Sequence, residues 1–189
     1  MIAKQEVFEA IYGAWRLFLG DRGAVQLFDS SVPGFWKSFF AAVIVFPIYV
    51  LLIAMGVIDF ETSRSLPSVV LLDIEFYIIG WVLWPLIVGY IVPALDRGEK
   101  YALYIVTYNW ANVIGAAIFF VTILATETLS LGQGFGALLT AIVTFGLLAY
   151  HVFIARVALD IPLSAAVGLT ICEFVIGQIL LIVQQSVLM

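Results

Sequence analysis

The chain has 189 residues, of which 64% are hydrophobic and only 11% are charged. Soluble domains carry about 25% charged residues, so a water-soluble fold of this length could not bury so much apolar surface. The formal net charge of −5 adds little, because in membrane proteins the position of charges is more informative than their sum. The composition therefore excludes a soluble domain and predicts an all-α polytopic membrane protein.

The first predicted element is an amphipathic helix over residues 4–19. Apolar residues recur there at three- and four-residue intervals, and charged residues fall largely on the other side. With Trp15 and Phe18 on its apolar side, this helix either lies in the headgroup region of the bilayer or packs against the bundle as a cap. Residues 1–34 then form a cytoplasmic or interfacial segment, and the run Asp29-Ser30-Ser31 near its end is suited to capping the next helix.

Five apolar stretches follow, each long enough to cross a bilayer as a helix, which takes about 20 residues. Pro47 and Pro85 lie inside the first two stretches and predict kinks, because proline leaves one helical carbonyl without its donor. Residues 35–189 are therefore predicted to form a five-helix transmembrane domain. The predicted spans cover about residues 35–57, 67–92, 101–125, 133–157 and 162–187.

Lysine and arginine are distributed unevenly among the segments that connect these spans. When the N-terminal segment, the second–third turn and the fourth–fifth turn are placed on one side, that side holds all the basic residues except Arg64. Because positively charged loops stay in the cytoplasm, this distribution predicts a cytoplasmic N-terminus and an external C-terminus. The membrane we expect is a bacterial inner membrane, and the lipid bilayer is the first predicted partner.

Motifs for catalysis, metal binding or nucleotide binding are missing. The glycine-rich run at residues 132–136 follows no strand and precedes no lysine, so it fails the requirements of a phosphate-binding loop. Cys172 is the only cysteine, which excludes an intramolecular disulfide and a multi-cysteine metal site. His151 is the only histidine, and we interpret it as a hydrogen-bonded interfacial side chain or as a proton relay. We predict no catalytic residue, no metal, no cofactor and no nucleic-acid partner.

Glu173 is the most informative side chain in the sequence. It follows Pro162 by 11 positions, which places it about 16–17 Å along the fifth span, near the bilayer centre. An ionisable group at this depth costs a few kcal/mol on insertion scales, so it usually faces the bundle or a water-filled cavity. Two interpretations stay open: a hydrogen-bonded structural acid, or part of an ion, proton or ligand pathway.

Other polar residues in the spans are candidate partners of Glu173. Asn112 lies at a similar depth in the third span, and Asn109 is three residues away on the same face. We expect these amides to meet Glu173, either as contacts that hold helices together or as a substrate site. Asp73 and Glu75 in the second span are either intramembrane acids or groups in an exposed vestibule or at a solvated helix end.

Small residues recur every four positions in the last two spans. Such ridges let helices approach closely, so they predict either seams within the bundle or faces between subunits. The ridge positions are Gly132, Gly136, Thr140 and Thr144 in the fourth span, and Ser164, Gly168 and Cys172 in the fifth.

The turn into the third span carries a family resemblance. Residues 98–110 read Gly-Glu-Lys-Tyr-Ala-Leu-Tyr-Ile-Val-Thr-Tyr-Asn-Trp. With the short cytoplasmic N-terminal segment and five spans, this tight basic turn before a tyrosine-containing span resembles Yip1-type membrane proteins over residues 35–189. The resemblance implies a role in membrane organisation or trafficking, generally without enzymatic activity, and supplies no catalytic residues.

Two functional hypotheses follow. The sequence favours a non-enzymatic accessory, scaffold or assembly subunit, which binds a membrane-protein partner or a second copy of itself, because catalytic motifs are missing and packing surfaces are abundant. The alternative is a small transporter or channel protomer that uses Glu173 with Asn109 and Asn112 as a polar site, to which Glu75 could also contribute.

Overall fold

The computed structural model describes residues 2–56, 66–129 and 132–188. Over these residues the chain is built of helices without a strand, and five helical stretches are long and apolar enough to cross a membrane. The prediction of an all-α, multi-pass membrane protein is therefore confirmed. The α-helices are α1 (Lys4–Phe18), α2 (Val32–Ser38), α3 (Phe40–Ala54), α4 (Leu66–Ala94), α5 (Tyr101–Thr128), α6 (Gln133–Leu159) and α7 (Leu163–Leu188).

The amphipathic helix α1 packs against α5 at one end of the bundle. Its buried face consists of small side chains and one leucine, including Ala10, Ala14 and Leu17. Trp15, which the sequence pattern places on the apolar stripe, is exposed together with Phe8. The helix is therefore a cap on the bundle, because small residues allow it to approach α5 closely, and its exposed aromatic rings are free to contact lipid headgroups.

The first candidate span, Val32–Ala54, consists of two helices and not one. As predicted, the run before it supplies a cap: the Ser31 hydroxyl accepts a hydrogen bond from the Gly34 amide at 3.2 Å, and the Asp29 carboxyl accepts one from the Ser31 amide at 3.0 Å. The chain then breaks at Phe39, between α2 and α3. The predicted end of this span at residue 57 and the loop with Arg64 lie outside the described residues.

Helix α5 is the centre of the bundle. It packs against α1, α2, α3, α4 and α6, while α7 packs against α4 and α6. Its buried residues are concentrated between positions 104 and 115, and the buried parts of α4, α6 and α7 lie next to them. The outward faces of the spans carry large apolar side chains that contact the bilayer, among them Leu138, Ile142, Phe145, Ile171 and Ile179.

Ion pairs gather the basic segments at one end of the bundle, which we call the basic end. Lys37 at the end of α2 pairs with Glu6 of α1 at 2.7 Å. Lys100, just before α5, pairs with Asp160 in the turn after α6 at 3.1 Å, and Arg97 donates to the Asp160 carbonyl at 3.3 Å. The segments that the charge distribution assigns to one side are therefore neighbours, whereas the identity of that side stays a prediction.

Candidate intramembrane site

Three helices meet at the carboxyl group of Glu173. Nδ1 of His151 on α6 lies 2.8 Å from Oε1 of Glu173 on α7, and the Tyr108 hydroxyl on α5 donates to the same oxygen at 2.9 Å. The side chains of His151 and Glu173 are each only 14% exposed. Glu173 is thus held inside the bundle by one histidine and one tyrosine.

The depth of this site follows from the helical rise. At 1.5 Å per residue, Glu173 lies about 15 Å from Leu163 at the start of α7, and His151 lies about 12 Å from Leu159 at the end of α6. Both helix ends belong to the basic end, so the two side chains meet at a similar level. A bilayer core is about 30 Å thick, so the site lies well inside the hydrocarbon region.

The second oxygen of Glu173 has no partner among the described residues. Oε2 is buried, and it makes no hydrogen bond in the structure. Leaving a buried acceptor unsatisfied costs about 1–3 kcal/mol, and more for a charged group. A proton on Oε2, or a donor group on a bound molecule, would remove that cost, so this atom marks where a ligand can be recognised.

Two adjoining cavities flank the three side chains. The first has a volume of about 360 Å³, lies among α4, α5, α6 and α7, and is lined by Glu173, Thr144 and Trp84. The second has a volume of about 460 Å³ and extends between α3, α4 and α5. Tyr108 and His151 line both cavities. The hydrogen-bonded group therefore forms part of the wall between two spaces that are each large enough for a small molecule.

Aromatic side chains close the site on the side of the basic end. The Trp84 indole N–H donates to the Tyr104 hydroxyl at 3.1 Å, and both residues are buried. The Tyr108 and His151 rings meet edge to face, with centroids 5.3 Å apart. Of the two tryptophans of α4 that lie deep in the bundle, Trp84 therefore joins the packed core and Trp81 lines the second cavity.

The two asparagines are not the partners of Glu173, and that prediction is wrong. The Asn109 amide donates to the Ser38 hydroxyl at 2.9 Å, while the Asn112 amide donates to the Tyr108 carbonyl of its own helix at 3.1 Å. Successive residues of a helix differ by about 100° in direction. Because α5 is surrounded by other helices, Asn109 faces α2 and its neighbour Tyr108 faces α7.

The two acids of α4 have different environments. Asp73 is buried, and its Oδ1 accepts a hydrogen bond from the Gln184 amide at 2.8 Å. Asp73 is therefore not exposed, and the exposed-vestibule interpretation is wrong for it. Glu75 is exposed on α4 and lines neither of the two cavities, so the structure does not bring it to Glu173.

The small-residue ridges are only partly buried within the chain. A Cβ atom added at Gly132 or Gly168 would meet no other atom within 4 Å, so the interpretation as a seam within the bundle is wrong at these two positions. Ser164 is exposed, whereas Gly136 and Thr140 are half-buried and Thr144 lines the first cavity. Where ridge positions face outward, the other interpretation, a face between subunits, stays a prediction.

Sequence reasoning missed the pairing of His151 with Glu173, although the sequence contains a signal for it. His151 stands 11 residues before Pro162, and Glu173 stands 11 residues after it. Antiparallel helices joined by a tight turn bring residues at equal distances from that turn to the same level. Over the residues that the structure describes, no three histidine, cysteine or acidic side chains converge as metal ligands.

Comparison with known proteins finds no matching family model, no similar curated protein and no similar solved structure. The resemblance to Yip1-type proteins therefore stays a prediction, and any functional argument rests on the geometry of the site.

Proposed function

We propose that this protein is a small transporter or channel protomer of a bacterial inner membrane, with its site at Glu173, His151 and Tyr108. One observation supports this proposal above all: a buried carboxyl shares one oxygen with a histidine and a tyrosine on a cavity wall, and its other oxygen is unpaired. Ionisable side chains inside membrane spans mark substrate, ion or proton pathways, and a histidine can exchange a proton near neutral pH.

The two oxygens of Glu173 suggest how the site works. Oε1 stays held by His151 and Tyr108, which fixes the direction of the carboxyl group. Oε2 takes up either a proton or the positively charged or hydrogen-bond-donating group of a solute. Because both compete for one oxygen, a bound solute displaces the proton, whereas without a solute the site carries the proton alone.

We further propose that the site opens to the external side, with the N-terminus in the cytoplasm. Gln184, which lines the second cavity, lies about 31 Å along α7 from Leu163 at the basic end. Leu181, on the wall of the first cavity, also lies beyond Glu173. Both cavities therefore extend away from the basic end, which the charge distribution assigns to the cytoplasm.

Reconstitution in proteoliposomes tests the transport proposal. A pH-sensitive dye inside the vesicles reports proton flux when a pH gradient is imposed, with protein-free vesicles as the baseline. We expect flux with the wild type and none with Glu173→Gln, because the amide cannot exchange a proton. Glu127→Gln is the matched control, since Glu127 is an exposed acid at the end of α5, and it should keep the wild-type flux. Equal flux in Glu173→Gln and the wild type would overturn the proposal, as would a wild type without flux.

A second candidate role is that of an accessory, scaffold or assembly subunit. The outward-facing Ser164 and Gly168 favour it, because open space beside Gly168 would accept a helix of another protein or of a second copy. Purification in a gentle detergent and in native lipid, followed by mass determination, tests this role. A stoichiometric partner would support it, and a monodisperse preparation without a partner would count against it.

A further inference from the structure

Six aromatic side chains line the second cavity. Its volume of about 460 Å³ lies in the range of small-molecule sites, which are mostly apolar with a few orienting polar groups. The rings of Tyr77 and Tyr49 lie 4.8 Å apart between centroids, and those of Tyr77 and Trp81 lie 6.3 Å apart. The aromatic side chains that line this cavity are Tyr49, Phe76, Tyr77, Trp81, Tyr108 and Phe119.

The position of this wall is fixed by contacts between helices. The Tyr77 hydroxyl donates to the Ala42 carbonyl of α3 at 2.7 Å, and Phe46 packs edge-on against Tyr77 with centroids 5.3 Å apart. Tyr77 is thereby held between α3 and α4. The rings on either side of it are ordered by the same packing, so the cavity offers aromatic faces that are already in place.

The charged groups around this cavity are acidic. Among the described residues, neither lysine nor arginine lines it, and His151 is the one basic side chain that they place in its wall. Gln184 in the same wall donates to Asp73 at 2.8 Å, and His151 is paired with Glu173. At each end of the cavity, a side chain of the wall is therefore hydrogen-bonded to a carboxyl group. In a low-dielectric interior, these two acids in their ionised forms disfavour an anion and favour a cation.

We propose that this cavity binds a hydrophobic organic cation, such as a quaternary ammonium or phosphonium ion. The aromatic faces contact the apolar groups and attract the positive charge, as rings do for quaternary cations elsewhere. In their ionised forms, Glu173 and Asp73 supply the negative charge at the two ends. This inference rests on the proposed function, since it names a substrate class for the cavity whose wall includes Tyr108 and His151, the two partners of Glu173.

The positions of the two acids also indicate from which end of the bundle the cation enters. Asp73 lies about 31 Å along α4 from Ala94 at the basic end, while Glu173 lies only about halfway across. A cation that enters from the end opposite the basic end passes Asp73 first and reaches Glu173 afterwards. The aromatic wall with Tyr77 and Trp81 lies between these two acids along α4.

A binding experiment with the full-length protein in lipid nanodiscs tests this inference. The probes are tetraphenylphosphonium, the neutral triphenylphosphine oxide and the anionic tetraphenylborate, measured by equilibrium dialysis against empty nanodiscs. We expect saturable binding of the phosphonium ion, at least about tenfold tighter than of either other probe, because cation–aromatic contacts strengthen when water is excluded.

Variants locate the binding in the second cavity. Trp81→Leu should weaken phosphonium binding by about tenfold, and Trp81→Phe, which keeps a ring and the packing, should recover most of the affinity. Trp36→Leu is the control, since Trp36 on α2 is 68% exposed and lines neither cavity, and it should bind like the wild type. The inference is overturned if the neutral probe binds as tightly as the cation, which would indicate a pocket for lipid chains, or if Trp81→Leu binds like the wild type.

The binding and flux experiments test the cation site and the proposed transport separately. Phosphonium binding in a protein without proton flux would contradict the proposed transport while leaving the cation site in place. Proton flux lost in Glu173→Gln, together with no phosphonium binding, would keep the proposed function and overturn the cation site.

Discussion

The half of the bundle next to the basic end and the half beyond Glu173 are packed differently. In the half next to the basic end, Trp84, Tyr104 and Tyr150 are almost fully buried. In the other half, beyond Glu173, most residues of α6 and α7 are exposed or half-buried, and two cavities extend between the helices. The contrast indicates one closed end and one open end, with the polar site at the boundary.

The additional elements α1 and α2 account for this difference. Both pack on α5 at the basic end, and they bring polar contacts with them: the Tyr150 hydroxyl donates to the Ala14 carbonyl at 2.7 Å, and Asn109 donates to Ser38. In the opposite half, the described residues belong to the spans and to their ends. Stability therefore comes mainly from the closed half, while the open half is free to accommodate a ligand.

The largest loss of stability is expected when a methyl group is added to the closed half. In Gly34→Ala the new Cβ would overlap the carbonyl oxygen of Asp29, so the capped turn before α2 would have to move. Overpacking of this kind costs about 2–3 kcal/mol. We expect a clearly lower unfolding temperature in detergent, followed by differential scanning fluorimetry.

The same substitution in the open half is the matched control. A Cβ at Gly146 on α6 meets nothing within 4 Å, so Gly146→Ala should be neutral or stabilise by up to about 1 kcal/mol, since alanine is the better helix former. If both variants lose the same stability, the two halves are packed alike and the comparison fails.

An intermediate loss of stability is expected from Tyr150→Phe, which removes the hydrogen bond between α6 and α1. The loss should be about 1 kcal/mol, which corresponds to about 2–4 °C for a protein of this size. Tyr90→Phe is its control, because Tyr90 is 84% exposed and should unfold like the wild type. An unchanged unfolding temperature in Tyr150→Phe would show that α1 is not needed to close this end.

The smallest effect concerns the ion pair of Lys100 and Asp160. The Lys100 ammonium group donates a hydrogen bond to the Asp160 carboxyl and lowers its pKa below the usual value. A lowered folded-state pKa stabilises the fold at higher pH, and this contribution is lost as the pH falls through that pKa. Asp160 is 77% exposed, so solvent screening keeps the effect small.

Comparison of the wild type with Lys100→Met at pH 7 and pH 3 isolates this pair. The unfolding temperature of the wild type should fall slightly more than that of the variant on acidification. A large difference would mean that the surface of the basic end, and not its buried packing, holds that end together.

The spans could be predicted from the sequence because the bilayer demands long apolar helices and the charges lie between them. The break at Phe39 could not be predicted, since no proline or glycine marks it and it arises where α2 docks on α5. Similarly, the apolar stripe of α1 did not reveal that Ala14 faces the bundle while Trp15 faces outward.

Glu173 could be predicted as a site residue because it is a lone acid in an apolar run. Its partners could not be predicted, because they depend on how α5 is rotated about its axis. The number of residues along a helix gives the depth of a side chain accurately. The direction in which that side chain points can be predicted only when it is known which helix packs on which face. Tyr108 and Asn109 differ by one position, yet one contacts Glu173 and the other Ser38. The cavities could not be predicted either, because they depend on how the spans are rotated and packed against one another.

Side-specific cysteine labelling tests the central claim, that the site is reached only from the end opposite the basic end. In a Cys172→Ser background, Thr144→Cys lies on the wall of the first cavity, and Ala155→Cys lies in the closed half, where Ala155 has no exposed surface. Exposed Ser30→Cys and Gly132→Cys mark the two sides of the membrane for an impermeant thiosulfonate. We predict that Thr144→Cys reacts from the side of Gly132→Cys only and that Ala155→Cys reacts from neither side. Reaction of Thr144→Cys from the side of Ser30→Cys would contradict the account.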